Sequence, residues 1–363
     1  MSSISLPTIT VRGTDQQMGH AQGETYRSLI QQFIQMRLDA AVTYFAAAGR
    51  GTVDELRLVG HASYALFQAW GHGAVIEHNA IAEAAEVDPK DLYTAANYTD
   101  MRDAVILAGT SDNEGCSSVL LPKSTTAGTT ILAGQTWDLN PQDIDYVLAV
   151  HRVPDHGLET WAITVAGCPT LVGMNETGLM IGTTNIKTWG ARPGIGYMSI
   201  LHKMLSSSTA QQASKIVECT RRAGAHTYWV ATSDTILEYE VTPDNITTRH
   251  SQTEAVIRTN HTLHPAHRAV EWQPPTSSSQ ARLARLTSRM KEQRQDLRTL
   301  RTAFADRSDG VDSVNRYAED EQGTQTNAVM IGEPVSRTLW ACRGPADRGE
   351  WISLAFEREP SPA

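Results

Sequence analysis

The stretch NEGCSSVLLP, residues 113–122, places a Gly–Cys pair between a polar turn and an apolar run. Residues 111–115 are small or polar, which is typical of a turn, and residues 119–121 predict a short strand. After the turn at residues 126–128, the run TILA predicts a second strand, so the two form a hairpin. Cys116 is therefore expected at the exposed start of a central strand.

The Gly115–Cys116 pair also predicts a chemistry. If the chain is cut before Cys116, the new α-amine has a pKa of about 7.7–8 and the thiol one of about 8.5. Proton exchange between them near neutral pH is then cheap, and the cysteine carries its own base. Asp138, in GQTWDL, follows 22 residues later. The alternative is that Cys116 is a small buried apolar residue, the commonest fate of a free cysteine.

Composition limits the classes of protein. The chain has 363 residues, enough for one large core or two ordinary ones, with 40% hydrophobic and 20% charged residues, as in globular proteins. A net charge of −9 argues against a nucleic acid or an anionic membrane as partner. We find no run of 18 apolar residues and no signal peptide. Four widely spaced cysteines favour reduced thiols, so we expect a cytoplasmic protein.

The two parts of the chain show different patterns. Residues 1–110 predict a short strand at 8–12, a long helix at 15–48, and helices at 52–71, 74–87 and near 93–107. From Cys116 onward, strands predominate and are interrupted by helix pairs at 196–222 and 281–305. This order predicts helices packed on the faces of an antiparallel two-sheet sandwich.

Six motifs occur in order: NEGCSSVLLP, AGQTWDLNP, GMNETGLMIGTTN, VIRTNHTLHP, SSSQARLARL and LWACRGPA. Together they resemble the penicillin acyltransferase-like family of N-terminal-nucleophile cysteine hydrolases, typified by isopenicillin-N acyltransferase (acyl-CoA:6-aminopenicillanic acid acyltransferase). The resemblance spans about residues 13–355. It implies an α+β fold, a four-layer αββα sandwich of two antiparallel sheets. It also implies self-cleavage into a helix-rich leader, residues 1–115, which becomes the α subunit, and a catalytic β subunit, residues 116–363.

The resemblance assigns the nucleophile and its nearest partners. Cys116 would first attack the Gly115 carbonyl and then the substrate. Asp138 would accept a hydrogen bond from the freed α-amine, and Asn185 would donate its amide to the oxyanion. Taken singly, Asp138 is also read as a strand-end turn residue and Asn185 as a turn cap. More distant bile-salt hydrolases carry an arginine where this chain has Gln135, which favours the acyltransferase-like branch.

Two further positions complete the implied site. Asn260 would brace the nucleophile or the tetrahedral intermediate, although an Asn after a strand is commonly a turn residue. Arg282 would supply positive charge that favours the thiolate; Arg285 lies one turn away, and the sequence leaves the choice between them open. No cofactor and no metal are implied. The expected partners are a small-molecule amide or acyl-thioester substrate and the two pieces of the cleaved chain itself.

Three functions remain as hypotheses. The first is a self-cleaving cysteine amidase that hydrolyses a small N-acyl amide through an acyl-enzyme, with acyl-CoA-dependent N-acyl transfer as its alternative. The second is a non-catalytic binding module with Cys116 buried and uncleaved. The third is a metal-dependent hydrolase using His261, His264 and His267; we expect Pro265 to keep these imidazoles off a shared helical face.

Overall fold

Six helices lie in the described part of the chain before Cys116. The computed structural model describes residues 4–107 and 115–357. The predicted turn at 111–115 therefore lies outside the described residues except for Gly115. The six helices are α1 Asp15–Thr25, α2 Arg27–Ala48, α3 Val53–Trp70, α4 His72–Ala84, α5 Pro89–Ala96 and α6 Tyr98–Val105.

Two sheets form the centre of the molecule. The eight-stranded sheet has the order β1-β4-β5-β6-β7-β8-β9-β10, and the six-stranded sheet has the order β11-β2-β3-β12-β13-β14. The strands of the larger sheet are β1 Thr8–Gly13, β4 Val147–Pro154, β5 Thr160–Val165, β6 Val172–Asn175, β7 Met180–Asn185, β8 His226–Ala231, β9 Ile236–Val241 and β10 Ile246–His250. Those of the smaller sheet are β2 Ser117–Leu121, β3 Leu132–Leu139, β11 Val256–Arg258, β12 Gln325–Glu333, β13 Thr338–Arg343 and β14 Ile352–Leu354.

Helices cover both sheets, so the predicted α+β sandwich is confirmed. The later helices are α7 Tyr197–Leu205, α8 Ala210–Cys219, α9 Pro265–Arg268, α10 Ser277–Glu292 and α11 Leu297–Phe304. Helices α7 and α8 contact β6, β7 and β8, whereas α10 and α11 contact β2, β3, β11 and β12. The sheets meet where β12 contacts β6 and β2 contacts β7. One edge strand departs from the antiparallel pattern, because β1 pairs with β4 in parallel.

Some boundaries differ from the sequence-based predictions. The long helix predicted at 15–48 is divided at Tyr26, which ends α1 and precedes α2. The helix expected near 93–107 is likewise two helices that meet at Asn97. Strand β4 was not predicted, because His151 and Arg152 interrupt its apolar pattern. Both side chains are buried and have carboxylate partners, Glu159 and Glu77.

The hairpin that carries Cys116 forms as predicted. Strands β2 and β3 pair antiparallel, with Ser117 opposite Thr136 and Leu121 opposite Leu132. Continued by two residues, this register brings Gly115 to Asp138, whose carbonyl accepts a hydrogen bond from the Gly115 N–H at 3.2 Å. The Gly115–Cys116 bond therefore lies at the end of the strand pair. Among the described helices, none is both long and apolar enough to cross a bilayer.

Helix α7 begins against the leader helices. Its cap residue makes no side-chain capping bond of its own. Instead the N–H of Gly196 donates to the Tyr93 hydroxyl at 2.9 Å. The next two N–H groups of the first turn donate to Asp100 Oδ2 at 2.9 Å and Asn97 Oδ1 at 3.1 Å. Side chains from α5, α6 and the residue between them thus satisfy donors that a helix leaves unpaired at its start.

A buried ion pair also joins the leader to the rest of the chain. Arg37 Nη2 lies 3.0 Å from Asp143 Oδ1, and both side chains are almost fully buried. The Arg37 guanidinium also lies over the rings of Phe33 and Tyr98, at 5.2 and 5.3 Å from their centroids. Burial raises the pKa of Asp143 to about 6, although Arg37 opposes the shift. Removing either partner leaves a buried group without compensation.

We expect Arg37→Met to lower the free energy of unfolding by about 3–5 kcal/mol, the usual cost of breaking a buried pair from one side. The matched control is Arg57→Met, because Arg57 forms a half-exposed pair with Asp91. Exposed pairs contribute about 1 kcal/mol or less, so the control should stay close to wild type. Urea unfolding at pH 7 measures both. Equal losses in the two variants would contradict the role given to Arg37.

Candidate active site

Cys116 precedes the first residue of a central strand and is buried in the continuous chain. Its side chain lines a cavity with Asp138, Asn185, Tyr197 and His226. Its Sγ lies 3.8 Å from the carbonyl oxygen of Asp138. The structure thus brings together three of the predicted site residues, Cys116, Asp138 and Asn185, around one small space.

Gly115 has no room for a side chain. A Cβ atom placed on it would lie 2.6 Å from Arg316 Nη1, 2.8 Å from Arg316 Cδ and 3.0 Å from Asp138 Oδ2. Real Cβ atoms essentially never come within 3.0 Å of a non-bonded heavy atom, so Arg316 would have to shift. The residue before Cys116 is therefore enclosed by one buried cation and one buried carboxylate.

Asp138 is a buried carboxylate with an altered protonation equilibrium. Burial raises its pKa to about 6, while the charges of Arg282 and Arg316 act in the opposite direction. The hydroxyls of Thr326 and Thr136 also lower the pKa. Neither carboxylate oxygen, however, makes a well-formed hydrogen bond with any described residue. Near neutral pH the side chain is therefore mainly ionised, and its oxygens can accept from a new donor.

Arg282, Asn260 and Asn185 form a chain of hydrogen bonds that ends at Cys116. Arg282 Nη1 donates to the Cys116 carbonyl at 2.7 Å and to Ser117 Oγ at 3.0 Å. Its Nη2 donates to Asn260 Oδ1 at 2.9 Å. Asn260 Nδ2 in turn donates to the backbone carbonyl of Asn185 at 3.0 Å. Both ends of the Asn260 amide are used, so its orientation is determined by its partners.

The structure distinguishes the two candidate arginines. Arg282 is fully buried and lies on the carbonyl side of Cys116. Arg285 instead forms a bidentate pair with Asp309, at 2.9 and 2.6 Å, where both side chains are partly exposed. Arg285 thus belongs to a surface ion pair, and of the two arginines only Arg282 contacts the Cys116 backbone.

The three histidines of the third hypothesis have other partners. His261 Nδ1 lies 2.7 Å from Ser279 Oγ, and His267 Nδ1 lies 2.9 Å from Glu240 Oε1. His264 precedes α9, which begins at Pro265, and its ring accepts from the Ala266 N–H. Within residues 4–107 and 115–357, no three His, Cys, Asp or Glu side chains are arranged to hold a metal ion. The geometry gives the metal hypothesis no support.

Sequence reasoning missed Arg316 and the leader residues of the cavity. Arg316 lies in a loop, 34 residues beyond Arg282, and no motif marks it. Its Nη1 is buried and has no hydrogen-bond partner among the described residues. Thr99, on α6, lines the Cys116 cavity although it comes from the other side of the Gly115–Cys116 bond. A polar residue buried within an otherwise helical pattern was the one available signal for it.

Comparisons with known proteins identify a family for this chain. A model of the acyl-coenzyme A:6-aminopenicillanic acid acyl-transferase family matches residues 124–348, well over half of the chain. That span contains Asp138, Asn185, Asn260, Arg282 and Arg316 and begins shortly after Cys116. The family match supports an enzyme of acyl transfer or amide hydrolysis in general. The chain belongs to the acyl-coenzyme A:6-aminopenicillanic acid acyl-transferase family, which confirms the resemblance seen in the motifs.

Two solved structures show a weaker likeness. Penicillin V acylase from Agrobacterium tumefaciens is 10% identical, with a TM-score of 0.43 over 63% of this chain and 83% of that one. A mutant conjugated bile acid hydrolase from Clostridium perfringens is 8% identical, with a TM-score of 0.41 over 67% of this chain and 97% of that one. A sequence comparison with curated proteins gives no match.

The raised pKa of Asp138 predicts a stability cost that depends on pH. A carboxyl whose pKa is higher in the folded state costs nothing below its unfolded pKa near 4 and its full penalty above about 6. In a Cys116→Ala background, Asp138→Asn should therefore have almost no effect on the free energy of unfolding at pH 4. It should stabilise by up to about 3 kcal/mol at pH 7, because two pKa units correspond to roughly that energy.

Urea titrations at pH 4, 5, 6 and 7 measure this difference. Asp244→Asn is the control, since the exposed Asp244 has its pKa lowered by Arg192 and should give no stabilisation at pH 7. If the difference in unfolding free energy between Asp138→Asn and its Cys116→Ala parent is the same at every pH, Asp138 carries no such penalty.

Proposed function

We propose that the chain cuts itself between Gly115 and Cys116, and that Cys116 then hydrolyses a small N-acyl amide through an acyl-enzyme. The supporting observation is the enclosure of the Gly115–Cys116 bond by Asp138 and Arg316 at the end of the β2–β3 pair. Residues 1–115 would become the α subunit and residues 116–363 the β subunit. The chain described above corresponds to the uncut precursor.

The self-cleavage requires no outside reagent except water. The Cys116 thiol attacks the Gly115 carbonyl carbon, a C–S bond forms, and the C–N bond breaks as the thiol proton passes to the leaving nitrogen. Water then hydrolyses the thioester, which yields a Gly115 carboxyl group and returns the thiol. The products are a free α-amine on Cys116 and a new chain end at Gly115. Arg282 holds the Cys116 carbonyl during these steps.

Turnover of substrate would use the same thiol with its new amine. The α-amine takes the thiol proton, the thiolate attacks the amide carbonyl, and the Asn185 side-chain amide donates to the oxyanion. The protonated α-amine then donates to the departing amine, and water hydrolyses the acyl-enzyme. Asp138 Oδ2 lies next to Gly115, 3.0 Å from where a Cβ on that residue would be, and Gly115 is the residue whose bond to the new amine is cut. The carboxylate form of Asp138 can accept a hydrogen bond from the new ammonium and hold it against the thiol.

Acyl transfer to an amine is the second candidate, with an acyl thioester such as acyl-CoA as donor. Membership of an acyltransferase family favours it. A second cavity favours it too, because Asn185 also lines a space bounded by Asn260, Lys187 and Glu271. That space offers charged groups near the oxyanion donor, where a leaving or an accepting amine could bind. Hydrolysis stays the first choice because it needs no second substrate site.

The decisive experiment is N-terminal sequencing of active protein. We expect two sequences, one of them beginning Cys-Ser-Ser-Val, and we expect Cys116→Ala to remain a single inert chain. Fast labelling of Cys116 by a thiol reagent in the wild type would separate this enzyme from a binding module with a buried cysteine. Active wild-type protein with only the Met1 end, or cleavage that persists in Cys116→Ala, would contradict self-cleavage.

The enclosure of Gly115 predicts a strict size limit at the residue before the cut. Gly115→Ala should slow self-cleavage at least tenfold, because its Cβ would displace the buried Arg316 or Asp138. Gly128→Ala is the matched control, since a Cβ there meets only Thr130 Oγ1 at an ordinary 3.5 Å. The uncut fraction is followed by denaturing gel after synthesis. Equal processing rates in both variants would show that the enclosure is irrelevant to the cut.

A further inference from the structure

His226 lines the Cys116 cavity and forms a buried pair with Asp100 that has no part in the chemistry above. His226 Nε2 lies 2.7 Å from Asp100 Oδ1, and both side chains are about 2% exposed. The second oxygen of Asp100 accepts the Tyr197 N–H at 2.9 Å. Asp100 lies on α6 of the leader, whereas His226 begins β8. Each carboxylate oxygen therefore has its own donor, and the orientation of the carboxylate is determined.

This arrangement selects one tautomer of the imidazole. A carboxylate only accepts hydrogen bonds, so Nε2 carries a proton, and in the neutral form of an imidazole with that tautomer Nδ1 presents a lone pair. His226 Nδ1 lies 3.5 Å from Thr183 Oγ1, which is long for a hydrogen bond. The Thr183 hydroxyl donates to the Thr227 carbonyl at 2.7 Å. Within the described part of the chain, Nδ1 thus has no donor at normal hydrogen-bond distance.

The ring is held rigidly beside the other site residues. His226 stacks on Tyr197, with ring centroids 4.8 Å apart and planes at 22°. It pairs with Asn185 across β7 and β8, so the two residues are neighbours at one end of the sheet. Thr99 lines the same cavity, and its buried hydroxyl lacks a hydrogen-bond partner among residues 4–107 and 115–357. The cavity thus contains one fixed acceptor and one hydroxyl that are both unused.

We infer that this cavity binds the acyl group of the substrate and selects acyl chains whose far end carries a hydrogen-bond donor, a hydroxyl above all. The hydroxyl donates to His226 Nδ1 and accepts from Thr99 Oγ1. The remaining lining includes the apolar side chains of Trp137, Leu139 and Leu171, which would contact the carbon atoms of the acyl group. A plain hydrocarbon would leave two buried polar groups unpaired, and sites of this kind discriminate strongly against analogues without the hydroxyl. The inference rests on the proposed function.

Three acyl 4-nitroanilides test the selection, with 3-hydroxybutanoyl, isosteric 3-methylbutanoyl and 3-oxobutanoyl groups. Acylation of Cys116 is followed by intact mass and kcat/KM by nitroaniline release. Wild type should prefer the hydroxy compound at least tenfold over either of the others. Thr99→Val, which removes one hydrogen bond but keeps the shape, should reduce this preference severalfold.

Asp100→Asn gives the sharper result. The Tyr197 N–H should keep the amide oxygen, so the amide NH₂ faces His226 Nε2 and moves the ring proton to Nδ1. The preference should then change to 3-oxobutanoyl, which only accepts. Asp91→Asn is the matched control, because Asp91 also contacts a histidine, His61 Nε2 at 3.1 Å, but that histidine does not line the cavity. Its acyl preference should match that of wild type. ¹⁵N NMR of the histidines reads the tautomer directly, without any turnover.

The outcomes separate the two levels of the argument. Cys116 could be acylated while the hydroxy and methyl compounds have kcat/KM values within twofold of each other. That result overturns the acyl selection and leaves the proposed function standing. A wild-type His226 protonated on Nδ1 instead of Nε2 also overturns the selection, whatever the activity. An uncut chain that no donor acylates refutes the proposed function, and the acyl assignment with it.

Discussion

The antiparallel register of β2 and β3 is the constraint on which the site depends. Ser117 opposite Thr136 leads to Gly115 beside Asp138, although 22 residues separate Cys116 from that aspartate in the chain. If β2 slipped by one residue against β3, the side chain of Cys116 would face the other side of the sheet and would no longer lie beside Asp138. The side chains of β2 are buried along its whole length, which makes such a slip costly. Packing of apolar residues therefore determines where the chemistry lies.

Burying charged groups at this site lowers the free energy of unfolding, and packing elsewhere in the molecule has to offset that loss. Asp138 and Arg316 are buried beside Gly115, and neither is fully satisfied by described partners. An apolar cluster fills the space between the smaller sheet and helices α10 and α11, and it includes the fully buried side chains of Leu286 and Phe304. Natural proteins commonly violate local rules at functional sites and compensate elsewhere. The β2–β3 pair thus packs apolar side chains against α10 and α11 and has buried charged groups at the end beside Gly115.

Much of the architecture could be predicted from apolar periodicity and turn residues, because most elements bury a regular face. The exceptions have physical causes. Strand β4 contains the buried polar side chains of His151 and Arg152, whose carboxylate partners lie outside the strand, so its pattern did not look like a strand. The break at Tyr26 follows from tertiary packing: Gly19 and Gly23 bring α1 against the backbone of α4, where a Cβ would lie 2.3 and 2.5 Å from carbonyl oxygens. No local signal marks such a change of helix direction.

The candidate site could likewise be predicted from the sequence only in part. Cys116, Asp138 and Asn185 lie within sequence motifs, and the structure brings them to one cavity although Asn185 belongs to the other sheet. The choice of Arg282 over Arg285 needed the third dimension, because both lie on one helix and only burial separates them. Arg316 and Asp100 were beyond sequence reasoning, since each reaches the site from a segment without a motif.

The position of Asp100 bears on what a cut at Gly115 can change. The leader caps the first turn of α7, pairs through Arg37 with Asp143 and orients His226, and all of these contacts are non-covalent. Breaking one peptide bond removes none of them, so under the proposed reaction the two pieces stay assembled and the cavity wall stays complete. What the cut alters is local: a carboxylate appears at Gly115 beside the buried Arg316 Nη1, and an amine appears beside Asp138. Each new charge forms next to a buried group of opposite sign, so the site is better matched to the cut chain than to the intact one.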